Sequence, residues 1–108
     1  MKSNRTEIEE DILEKCKQLV LELRGNKAGS GNALLNFELI NQLYDRLIQY
    51  KKQINDKEIV NKEVVGVLFY TCSRFYVQSN YANNREELLN QFSKLNLVLL
   101  KLYMTLDE

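Results

Sequence analysis

Apolar residues recur at intervals of three and four along four stretches of this chain, and none of its 108 residues is proline. Proline inside a helix removes a backbone donor and clashes with the preceding turn, so its absence leaves long helices uninterrupted. Spacing of three and four places apolar side chains on one face of a helix. The pattern predicts an all-α chain. Short connections between long helices reverse the chain direction each time, so the expected fold is a single antiparallel, up-down-up-down four-helix bundle.

The first helix is expected from about 6 to 23, with Ile8, Ile12, Leu13, Cys16, Leu19, Val20 and Leu23 on its apolar stripe. Thr6-x-x-Glu9 is a capping-box pattern, and Arg24-Gly25 supplies the stop. Three of the four glycines lie in residues 25–32, which read as a flexible loop. This is not a phosphate-binding loop, because no Gly-Lys-Ser/Thr closes it and no strand precedes it. The second helix is expected from 33 to 53, with Leu34, Phe37, Ile40, Leu43, Tyr44, Leu47 and Ile48 facing inward beside the alkyl stem of Lys51.

Asn55-x-x-Glu58 reads as a cap for a third helix over 56–79, with Val60, Val64, Leu68, Cys72, Phe75 and Tyr76 on its stripe. Apolar nearly all round, this helix is expected to be the most buried of the four. Asn84-x-x-Glu87 reads as the cap of a fourth helix over 85–105, whose inward stripe is Leu88, Leu89, Phe92, Leu95, Leu99, Leu102, Tyr103 and Leu106. Leu97, Val98, Leu100 and Met104 widen that stripe beyond one face. Two accounts stand side by side: the glycine-rich loop and the first helix cover this end, or it is a contact surface for a partner.

Charge and composition exclude several functions. The 15 basic residues balance 15 acidic ones, nine against eight in residues 1–54 and six against seven in 55–108. Phosphate neutralisation needs clustered Lys and Arg, and the only tight pair is Lys51-Lys52, so no nucleic-acid partner is expected. With no histidine the usual neutral-pH base and zinc ligand are missing, and no cofactor or metal is expected. Glu9-Glu10 and Glu86-Glu87 are paired carboxylates, but neighbours on a helix point about 100° apart and do not converge on a substrate. No enzyme is expected. Cys16 and Cys72 lie among apolar residues, which fits two buried free thiols and leaves a disulfide between them open. No secretory signal or spanning segment is apparent, the longest uncharged run being 64–72 against the ~20 residues a spanning helix needs, so a cytoplasmic protein is expected.

Val64-Val65-Gly66-Val67-Leu68-Phe69-Tyr70-Thr71, followed by a polar and aromatic stretch to Tyr81 and then Arg85-Glu86-Glu87-Leu88-Leu89-Asn90-Gln91-Phe92-Ser93-Lys94-Leu95, resembles the enterocin A type of immunity protein for class IIa, pediocin-like bacteriocins. The likeness extends more loosely back through the helix at 35–54. After Leu95 the family continues with small residues and glycines, whereas Asn96 to Met104 stays apolar here. The resemblance implies a non-enzymatic cytosolic protector of a Gram-positive cell. Its partner would be the mannose phosphotransferase permease with a bacteriocin engaged, met at the inner face of the membrane.

The family carries specificity in its second half, which points to Arg74, Tyr76, Tyr81, Arg85, Lys101 and Tyr103 as partner-binding residues. Aromatic and arginine side chains are the usual anchors of protein contacts. The expected state is a monomer or weak dimer. The alternative is a non-enzymatic helical interaction or regulatory module, dimeric through Leu97, Leu100 and Met104.

Overall fold

A computed structural model describes residues 5–25 and 31–104 and contains four α-helices. They are α1 (Glu7–Leu23), α2 (Phe37–Ile54), α3 (Lys62–Ser79) and α4 (Arg85–Tyr103). The expected all-α four-helix bundle is present. Most of the loop anticipated at 25–32, the end of the fourth helix at Thr105 and the inward Leu106 lie outside the described residues.

Helix ends show which local signals survive folding. The capping box at Thr6 forms as its pattern implies: Glu9 N donates to Thr6 Oγ1 at 3.2 Å and Thr6 N donates to Glu9 Oε1 at 2.9 Å. Two other expected starts are corrected. α2 opens at Phe37 rather than 33 because the Asn36 side chain caps it, accepting from Leu39 N at 3.0 Å. α3 opens at Lys62 rather than 56, with Asn61 Oδ1 accepting from Glu63 N and Val64 N. Asn55 ends α2 instead of capping α3. Residues 55–61 stay outside helix and leave Ile59 86% exposed.

That connection is long for a physical reason. Directions alternate along the chain, yet α2 and α3 are not close-packed; α1 packs on α2 and α3, and α3 on α4. The chain therefore has to pass from α2 beyond α1 before α3 can start. Arg5, just before α1, pairs with Glu63 at the start of α3, which places these two neighbours side by side in parallel. Residues on α1 and α2 pair in reverse order, Asp11 with Arg46 and Glu22 with Asn36. α4 runs back along α3, with Phe92 against Tyr76 and Tyr103 against Phe69.

The core is one apolar cluster with Ile12, Leu19, Leu43, Leu68, Phe75 and Leu99 at its centre. Cys16 and Cys72 are buried free thiols, so the disulfide alternative is excluded. α3, packed on both α1 and α4, buries six residues, as many as α1, but it is not enclosed all round. Phe69 and Tyr76 stay partly exposed beside Tyr103 and Phe92 of α4, and Tyr70 at the edge facing α1.

Asn84 does not cap α4. Its amide pairs with the backbone of Ala33 in both directions, accepting from Ala33 N at 2.9 Å and donating to Ala33 O at 3.0 Å. Beside it Asn83 N donates to Gly31 O at 2.7 Å. Gly31 sits at φ 85°, and an added Cβ would run into the Asn83 amide, so this clip needs glycine. Asn84→Ala is expected to cost about 2 kcal/mol, one for each lost hydrogen bond, and Asn84→Asp at least as much, because it sets a carboxylate oxygen against Ala33 O where the amide donates. Urea unfolding of the two variants checks it; a loss well below that for Asn84→Asp would show that the donated bond contributes little.

Candidate partner-binding surfaces

The six residues proposed from sequence do not converge. Tyr81, 79% exposed, and the exposed Arg85 flank the turn between α3 and α4. Tyr76 lies along α3 with its ring against Phe92, centroids 5.3 Å apart, and keeps its other side in solvent. Arg74, half-buried, is two residues from Tyr76 and so points about 200° around α3 from it. Lys101 and Tyr103 occupy the far end of α4.

Tyr103 turns inward. Its ring sits edge-on to Tyr50 with centroids 6.5 Å apart and tilted on Phe69, and its hydroxyl is enclosed without a hydrogen-bond partner. Burial, then the neighbouring Tyr50, raise its pKa. Tyr50 beside it is wholly buried and donates to Glu9 Oε2 at 3.4 Å. This polar cluster holds α1, α2 and α4 together at one end of the bundle.

Two grooves have apolar floors. One, of about 470 Å³, runs between α1 and α3 over Leu13, Val20, Leu21 and Val67. Charges of both signs rim it, and Arg5 pairs there with Glu10 at 2.9 Å and with Glu63. The other, of about 210 Å³, opens between α2 and α4 over Tyr44, Leu47, Ile48, Val98 and Leu102, with Lys51 and Lys101 at its edge. Lys94 Nζ stands 5.8 Å from the centroid of the Tyr44 ring. Of these lining residues the sequence reading proposed only Lys101 for a partner. The signal for the rest was the seven-residue interval between Lys94 and Lys101 in a helix end otherwise free of charge.

Chain comparisons bring nothing to set beside these surfaces. No family model, no curated protein and no solved structure matches this chain. Among the described residues no group of side chains is arranged to hold a metal ion, and no helix is long and apolar enough to cross a membrane.

The wide apolar face of α4 has a definite position. Gly31 and Asn32 pack by the α3–α4 turn, at the opposite end of α4 from Leu97 and Met104. Residues 26–30, on which the expectation of a covering loop rests, lie outside the described residues. Leu97 and Met104 are 51% and 60% exposed.

Proposed function

We propose that this protein is an immunity protein that protects a Gram-positive cell from a pore-forming class IIa bacteriocin. It would bind the mannose phosphotransferase permease once the bacteriocin has engaged it and hold the complex closed. The observation that carries this reading is the place of the resemblance: residues 64–71 and 85–95 fall on α3 and α4, which pack on each other as one antiparallel hairpin. The turn of that hairpin presents Tyr81 and Arg85 outward, as anchors of a protein contact would be. Tyr76 and Lys101 would contribute along its sides, and Tyr103 by setting the end of α4.

Expression in a sensitive strain challenged with a panel of class IIa peptides tests the reading. Survival against at least one peptide is expected, and exchange of residues 55–108 with those of a related immunity protein should change which peptide is tolerated. Protection against none of the panel defeats it. The second reading, a dimeric interaction module, rests on the exposure of Leu97 and Met104. It predicts a tight dimer that Leu97→Glu disperses, where the immunity protein is a monomer or weak dimer.

A further inference from the structure

We propose that the groove between α2 and α4 is a docking site for an acidic amphipathic helix of a partner protein. The inference stands on the groove itself and does not depend on the immunity reading.

The two helices leave apolar surface between them that no element of the described chain covers. α2 and α4 are not close-packed, and the floor of the groove is Tyr44, Leu47, Val98 and Leu102. On one lip Ile48 is 61% exposed. An amphipathic helix laid into such a channel buries its own apolar stripe at the same time, the usual mode of helix-in-groove recognition.

Charge selects the partner. Every ion pair among the described residues involves α1 or Arg5 just before it: Arg5 with Glu10 and Glu63, and Asp11 with Lys15 and Arg46. Lys51, Lys94 and Lys101 surround the α2/α4 groove and take part in none of these pairs, and no carboxylate lines it. A chain of zero net charge thus keeps a local excess of positive charge around one apolar channel. Such an excess steers and orients an acidic partner.

The spacing sets a register. Lys94 and Lys101 are seven residues apart, about 10 Å along the helix axis. A docked helix that presents carboxylates seven residues apart, beside an apolar stripe at three-and-four spacing, meets both. Two other occupants fit less well. A bilayer surface is broad and would be met by a protruding apolar face, whereas here Ile48 alone is strongly exposed and Leu47 and Leu102 lie buried in the floor. A second copy docked groove to groove by two-fold symmetry would set the lysines of one chain against those of the other.

The test titrates the full chain, isotopically labelled for NMR, with a synthetic helix carrying a leucine stripe and glutamates seven residues apart. A version with lysine in place of each glutamate is the control peptide. Shifts at Tyr44, Ile48, Val98 and Lys101 are expected with the acidic peptide alone. The Lys51→Glu/Lys101→Glu variant should weaken binding at least tenfold, while Lys17→Glu/Lys62→Glu, which changes net charge equally away from the groove, should change it less than twofold. Circular dichroism confirms that both variants are folded. Any of four results overturns the proposal: no binding, equal binding of the two peptides, shifts centred on the α1/α3 groove, or equal weakening by the two double variants. Binding to phosphatidylglycerol vesicles but not to the peptide would assign the groove to a membrane, and an Ile48-dependent dimer would assign it to a second copy.

Discussion

Tyr50→Ala is expected to lower the free energy of unfolding by about 3–5 kcal/mol, and Tyr50→Phe by only about 1–2 kcal/mol. The ring is fully enclosed and meets Tyr103 edge-on, interplanar angle 72°, so truncation opens a cavity where α1, α2 and α4 come together. The hydroxyl is a lesser support. Its bond to Glu9 Oε2, at 3.4 Å, is near the limit of a hydrogen bond, and Glu9 keeps its other oxygen on Thr6 N at 2.9 Å. Small domains are held by about 5–15 kcal/mol, so the alanine variant should lose from about a fifth of its stability to nearly all of it. Urea unfolding followed by circular dichroism measures both. Equal losses for the two variants would shift the weight from the ring to the hydroxyl and its carboxylate.

Tyr50 is also where the sequence was hardest to read. It lies between Gln49 and Lys51, and the apolar residues of α2 are numerous enough to suggest a face running through Phe37, Tyr44 and Ile48. The buried set is Ile40, Leu43, Leu47, Tyr50 and Ile54, rotated away from that face, and Phe37 and Ile48 are exposed. Periodicity identifies a helix and an apolar side. Which part of a broad apolar side enters the core depends on where the neighbours stand, and α2 has only α1 closely packed against it. The same surplus created the α2/α4 groove.

Capping patterns divide in the same way. Thr6-x-x-Glu9 forms because nothing distant competes for Thr6 Oγ1 as an acceptor. Asn84-x-x-Glu87 has the same local form, but the Asn84 amide is taken by Ala33, far away in sequence. Asn55-x-x-Glu58 fails because the chain is still crossing the end of the bundle. As for the six partner residues, the sequence places Arg74 and Tyr76 on the third helix, Tyr81 in the turn, and Arg85, Lys101 and Tyr103 on the fourth helix, where the structure also has them. Whether they share a surface depends on helix rotation and on which end of the bundle each reaches, and neither is written in local spacing.

The protein is expected to keep its stability nearly constant from pH 5 to 9 and to unfold cooperatively above about pH 10. With no histidine in the chain, no side chain of ordinary pKa titrates in the middle of that plateau. Above it several groups act together. Burial pushes the Cys16 thiol from 9.0 up to about 11, and the Cys72 thiol likewise to about 11. Burial, helped by Cys72, lifts the Tyr44 phenol from 10.0 to about 12, and burial raises Tyr50 as well.

These groups are neutral when protonated, and the folded chain holds their protons more tightly than the unfolded one. Below pH 9 both states are protonated and stability is complete. Between about 9 and 11 the unfolded chain sheds thiol protons that the folded chain keeps, so stability falls as pH rises. For the fully enclosed Cys16 a shift of that size corresponds to about 3 kcal/mol. Cys72 adds a comparable amount and the partly exposed Tyr44 less. Their sum approaches the whole stability of a domain of this size.

The acid limb has the opposite sign and a smaller reach. Burial pushes the Asp11 carboxyl up, but hydrogen bonds from Lys15 at 3.1 Å and Arg46 at 2.6 Å outweigh it and hold the pKa below its usual 3.8. That stabilisation is present above pH 3.8 and is lost as pH falls below it. One partly exposed cluster acts there, against two enclosed thiols and several phenols on the alkaline side. A pH titration followed by circular dichroism should therefore be asymmetric, and Cys16→Ala/Cys72→Ala should move the alkaline midpoint upward by about half a unit or more without raising stability at neutral pH. An unmoved midpoint would leave the phenols as the cause, because the thiols would then contribute nothing to the proton difference between the two states.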